Sequence, residues 1–196
     1  MTTRSTTFVP RQVFLFSGHM MDAPDRKTPR FPPQMENAAA ARIAQALDEF
    51  GAAASDLALC EAAAGGDLLF LEACRQRKVR CEVLLPFDEQ TFIERSILPA
   101  SNGTRWRERF SAAKAALAEP PHIMDEELGP TLQGVDPFER CNVWLLESAL
   151  AWGDEKLRFI CLWNGAGGDG PGGTKHMIDE VRRHDGRVKW IDTREL

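Results

Sequence analysis

The chain has 196 residues, of which 43% are apolar and 27% charged, the balance of one globular domain with a buried core and not of a disordered segment. A net charge of −5 argues against a general nucleic-acid binder, which carries a basic face. No apolar run approaches the ~18 residues of a membrane span, so no membrane association is expected.

The N-terminus, MTTRSTTFVPRQ, has no apolar core of the secretory type and reads as a flexible lead through residue 11. QVFLFS, residues 12–17, is a short continuous apolar run, the mark of a strand buried on both faces, and Gly18 ends it. Four prolines and three basic residues make residues 22–33 a loop. Ala39, Ile43, Ala46, Leu47 and Phe50 then recur at helical spacing, closed by Gly51.

Leu57 to Cys60 reads as a second strand, AAAGG as a turn, and Asp67 as the cap of a helix that lays Leu68, Leu71 and Arg75 on the sheet. VRCEVLL, residues 79–85, is a third strand stopped by Pro86. Trp106, Phe110, Ala113 and Leu117 mark another helix, and a short strand is expected at residues 122–124. Asp136-Pro137-Phe138-Glu139 combines a cap, a first-turn proline and an acid three residues after the cap, so a helix starts there and runs towards Gly153. LRFICLW, residues 157–163, is a further buried strand; a helix closed by Gly186 and a last strand, RVKWID, complete the chain. Strands and helices alternate throughout, which predicts one α/β domain over residues 1–196, Rossmann-like, with a mostly parallel sheet and helices on both faces.

Ligands of such sheets bind beyond the carboxyl ends of the strands. Three loops leave those ends with unusual composition: Ser17-Gly18-His19, AAAGGD at residues 62–67, and NGAGGDGPGGTKHM at residues 164–177. A strand precedes and a helix follows the last, so it is a ligand loop and not a linker. Glycine lets the backbone approach an anion, and the first N–H groups of the next helix face it. Phosphate is therefore expected on Gly65 and Gly66, or else those two glycines simply make a tight turn. It is also expected on Gly170, Gly172, Gly173, Thr174 and Lys175. Asp67 and Asp169 either bond a ribose hydroxyl or act as caps, and Arg26, Lys27 and Arg30 either clamp phosphate or belong to a disordered arm. Among ionisable groups, Glu72 and Asp67 are candidate catalytic carboxylates and His19 a candidate acid–base group. Each also has a plain structural reading as a paired helix acid or a loop histidine. The four histidines are scattered without metal-ligand spacing, and no metal site is expected. The five cysteines form no CxxC and read as buried free thiols of a reducing, cytoplasmic compartment.

FLFSGH, AAAGGDLLFLEA, VLLPF and ICLWNGAGGDGPGGTKHMIDE together resemble the SLOG superfamily. These are Rossmann-like proteins related to the cytokinin-activating LOG phosphoribohydrolases, to DNA-processing protein A and to nucleotide-sensing domains. The resemblance covers residues 12–192. It implies a nucleotide or NAD-derived (ADP-ribose-like) ligand, with Gly172, Gly173 and Thr174 in the phosphate loop, Gly65 and Gly66 in the earlier turn, and Ser17, Gly18 and His19 flooring the site. It also implies an effector protein or a homo-oligomer as partner. PGGTKHM departs from the PGGxGTxxE pattern of the LOG enzymes: the second Gly-Thr is missing, and no glutamate stands at the required spacing. The resemblance thus implies a sensor-type binding domain, with N-glycosidic cleavage of a nucleotide by a carboxylate as the alternative.

Overall fold

The computed structural model describes residues 8–167 and 173–196. Among these, six strands form one sheet in the order β4-β3-β2-β1-β5-β6, every neighbouring pair parallel. The strands are β1 (Val13–Gly18), β2 (Leu57–Cys60), β3 (Arg80–Leu85), β4 (His122–Ile123), β5 (Leu157–Trp163) and β6 (Arg187–Asp192). The helices between them are α1 (Glu36–Glu49), α2 (Gly66–Gln76), α3 (Glu89–Ser96), α4 (Gly103–Ala115), α5 (Met124–Leu128), α6 (Pro137–Leu150) and α7 (Thr174–Arg183). This is the doubly wound α/β architecture that the alternation of apolar runs predicts.

The continuous apolar runs become strands covered on both faces because successive side chains point to opposite sides. In β1, Phe14 and Phe16 enter one core layer with Ile43 and Leu47 of α1 and Leu68 and Phe70 of α2. Val13 and Leu15 enter the other, with Leu145 and Leu146 of α6 and Met177 and Val181 of α7. The Asp136 carboxylate accepts the N–H groups of Phe138 and Glu139 and starts α6 where the sequence placed it. Arg75 departs from expectation: it is exposed, and the sheet-facing side of α2 is carried by Leu68, Leu71 and Cys74. Arg11 lies at the end of the expected flexible lead, yet its guanidinium pairs with the fully buried Asp56 at 2.8 Å. No helix among the described residues is long and apolar enough to cross a membrane.

From β1 the chain steps outward through β2, β3 and β4, then returns to the other side of β1 as β5 and β6. The crossovers therefore leave β1 and β5 in opposite directions. The region beyond their carboxyl ends is the switch point of a doubly wound sheet, where such folds place their ligands.

Candidate functional site

Ser17 and Gly18 close β1, half-buried and in register with Cys161 and Leu162 of β5. His19 follows, and its N–H is bonded to the Leu162 carbonyl at 2.8 Å. Its Nε2 accepts the Asn164 N–H at 3.2 Å, tying the exit of β1 to the first residue beyond β5. Burial, the largest cause, lowers the His19 pKa to about 4, and the neighbouring guanidinium of Arg30 acts in the same direction. The ring is therefore neutral at neutral pH. With Nε2 accepting, the proton sits on Nδ1, which is left to donate. His19 is arranged as a hydrogen-bond donor and a brace between two strand ends; the lone pair a general base needs is already in use.

The proline-rich segment is an ordered arm. Asp22, 5% exposed, accepts the N–H groups of Arg30 and Phe31 at 2.8 and 2.9 Å, and Phe31 is fully buried. This fold-back brings Arg26 and Arg30 into the electrostatic neighbourhood of His19. Arg26 contacts Asp22 at 3.2 Å. Arg30 is half-buried, its Nε has no hydrogen-bond partner among the described residues, and burial followed by repulsion from Arg26 lowers its pKa. Two guanidinium groups thus stand near one carboxylate at the carboxyl end of β1, and only Arg26 is in contact with it.

Gly65 and Gly66 are placed otherwise than a phosphate turn requires. Gly65 has φ +109, and a Cβ there would lie 2.5 Å from the Met21 nitrogen; one on Gly66 would meet the Phe16 ring at 3.0 Å. The Gly66 N–H bonds the His19 carbonyl at 3.2 Å, and the Met21 N–H bonds the Ala64 carbonyl at 2.9 Å. These glycines admit the chain's own backbone and the Phe16 ring, which stacks on Phe70 with centroids 4.8 Å apart. Both are buried, so the space in front of α2 is taken by the segment leaving β1.

Asp67 lies in the first turn of α2 and is 6% exposed, while Gly65 holds the cap position. Its Oδ2 accepts the Ala63 N–H at 3.0 Å, reaching backwards across the turn. Burial raises its pKa to about 7. Glu61, the first residue after β2, is 9% exposed, and its Oε1 has no hydrogen-bond partner among the described residues. Burial, and then the charge of Asp67, push Glu61 well above the usual carboxylate range. Sequence reasoning missed Glu61; the available signal was an acid directly after the four-residue apolar strand LALC. It missed Asp22 as well, which reads as one more polar residue of a proline loop.

Glu72 is not brought to this group. It follows Asp67 by five positions, about 140° around the helix, and so faces elsewhere. Both its oxygens accept from Arg109 of α4, at 2.7 and 2.5 Å, and Arg109 also reaches Glu36 of α1 at 2.7 Å. Glu72 is a member of a structural ion network joining three helices.

Beyond β5, Trp163 is 8% exposed; its Nε1 donates to the Ala166 carbonyl, and its own carbonyl accepts from Trp190. These bonds set the direction in which the glycine-rich loop departs. Gly170 and Gly172, and with them Asp169, lie outside the described residues. Gly173 takes the cap position of α7 without a side-chain cap, and Thr174 begins the helix. Lys175 pairs with Asp179 at 3.0 Å and is exposed. Among the described residues, no group of three or more His, Cys, Asp or Glu side chains is placed to hold a metal ion.

What converges beyond β1 and β5 is therefore Ser17, Gly18, His19, Arg26, Arg30, Asn164 and the start of the glycine-rich loop, with the Glu61–Asp67 pair beside them at the end of β2. The chain matches no protein-family model, and no curated protein is significantly similar to it.

Proposed function

We propose that the chain is a nucleotide-binding domain of sensor type that takes a nucleotide or an NAD-derived ligand, ADP-ribose-like in chemistry, beyond the carboxyl ends of β1 and β5. The observation that carries this reading is the unbalanced pair Arg26 and Arg30, held by the Asp22 fold-back at the switch point of a parallel sheet. Two guanidinium groups beside a single carboxylate leave positive charge in excess, and Arg30, whose guanidinium makes no ion pair among the described residues, suits phosphate oxygens, which guanidinium groups bind in forked pairs. The first-turn N–H groups of α7, from Thr174 to His176, offer an anion further donors. His19 Nδ1–H supplies a neutral donor between the two. The phosphates are thus assigned to the β1 arm and the β5–α7 loop, and the Gly65–Gly66 turn to the scaffold.

A second reading, cleavage of the ligand's N-glycosidic bond, is favoured by Glu61 and Asp67. Two buried carboxyl groups with raised pKa values at the ligand end of the sheet have the acid character such a reaction draws on. Glu72 has no part in either reading.

A thermal-shift titration with AMP, NAD and ADP-ribose tests the binding. A ligand that binds only the folded chain raises Tm with its concentration. Arg30→Ala is expected to weaken the shift about tenfold in ligand concentration, the loss of one charge-assisted contact. No shift with any of the three, or an unchanged shift in Arg30→Ala, contradicts the reading. Release of free base that disappears in Glu61→Gln would favour the enzyme over the sensor.

A further inference from the structure

We propose a second ligand site at the opposite end of the sheet: the groove between the C-terminal turn of α2, the start of β3 and the end of α4 takes an amphiphilic anion, an apolar chain with one anionic head. The groove holds about 370 Å³ and is floored by Leu71, Val79, Cys81, Ala113 and Leu117. That volume falls within the range of about 300–1,000 Å³ typical of small-molecule sites.

Two features of the sequence open it. β4 pairs only with Leu84 and Leu85, so the first half of β3 has a strand neighbour on one side alone. The end of α4 turns alanines 112, 113 and 116 towards the groove, and their short side chains leave the space beside β3 unfilled.

The charges at the rim choose the occupant. Arg75 and Lys78 stand exposed at the end of α2, and neither has a carboxylate partner among the described residues. Arg109 also lines the groove but is neutralised by Glu72 and Glu36. Two unpaired cations over an apolar floor complement a single anionic head followed by a hydrocarbon body, and repel a cationic amphiphile. The floor belongs to the amino end of β3, whereas the proposed nucleotide site lies beyond the carboxyl ends of β1 and β5. The two sites therefore stand or fall separately.

Cys81 makes the test specific. It is half-buried in the groove, while Cys60, Cys74, Cys141 and Cys161 are all buried. The native chain is labelled with N-ethylmaleimide in the presence of decanoate, decyltrimethylammonium or no additive, and modification of Cys81 is followed by peptide mass spectrometry. Decanoate is expected to slow labelling at least fivefold at saturation, and decyltrimethylammonium to leave it unchanged. Arg75→Ala/Lys78→Ala, two exposed positions with no packing role, is expected to raise the decanoate concentration needed by about three- to tenfold. Equal protection by both amphiphiles, protection by neither, or undiminished protection in the double variant overturns the proposal.

Discussion

At the scale of single residues, the buried groups make opposed contributions to pH dependence. Asp67 has its folded pKa raised to about 7, so the folded state holds its proton more tightly than the unfolded chain. Its contribution is most favourable below the unfolded value near 4 and is lost as pH rises through about 7. His19 has its folded pKa lowered to about 4; its contribution is lost as pH falls from the unfolded value near 6.5 through 4. The two slopes oppose each other below pH 6.5, so the Asp67 effect is read as a difference between proteins. Asp67→Asn keeps an acceptor for the Ala63 N–H and removes the ionisation. Its Tm relative to wild type is expected to rise steadily from pH 4 to pH 8 in thermal melts. A difference that stays flat with pH means that Asp67 is not the buried acid described here. At Gly65 the argument is steric: φ +109 and a Cβ 2.5 Å from the Met21 nitrogen leave no room for alanine. Gly65→Ala should cost at least about 2 kcal/mol in denaturant unfolding. It should weaken ligand binding only in proportion to the unfolded fraction. If Gly65 contacted phosphate instead, affinity would fall in the folded protein.

At the scale of elements, α1, α2 and α4 are joined by Arg109, whose guanidinium bonds Glu36 and Glu72 and lies 4.1 Å from the Trp106 ring centroid. Arg109→Met leaves Glu72 without its partner, while Glu36 keeps Arg105, and should destabilise the fold by about 1–2 kcal/mol. Glu72→Gln should cost less and leave nucleotide binding unchanged, measured by calorimetry on the folded variant. Loss of binding in Glu72→Gln would return this residue to the site. These elements also show what the sequence could reveal. The strands were legible because β1, β2 and β5 are buried on both faces and have to be apolar without interruption. The start of α6 was legible because Asp136 and Pro137 act locally. Arg75 was misread because helical spacing alone does not say how far a helix extends past the sheet it covers. The glycine pair reads both ways in the sequence because its spacing is the same whether it admits a phosphate or the backbone of residues 19–21. Only the fold decides, through a pairing between segments more than 40 residues apart. Asp22 was missed because the fold-back that brings the Arg30 and Phe31 N–H groups to it leaves no mark in a proline-rich loop, and Glu61 because its burial is set by the packing around the end of β2.

At the scale of the whole molecule, the sheet has two unlike ends. The carboxyl ends of β1 and β5 collect two arginines against one carboxylate, a neutral histidine and the start of α7. The amino end of β3 presents an apolar groove edged by lysine and arginine. The proposed function puts a phosphate-bearing ligand at the first of these ends, between the β1 arm and α7 and not on the Gly65–Gly66 turn. Hydrogen–deuterium exchange of the intact chain with saturating ADP-ribose reads this most directly, because each loop yields its own peptides. Slowed exchange is expected in residues 19–30 and 173–178, with residues 61–69 already slow and unchanged because they are buried and the amides of Ala63, Ala64, Gly66, Leu68 and Leu69 are bonded within the protein. Slowed exchange confined to residues 61–69, or no change anywhere at saturation, would contradict it.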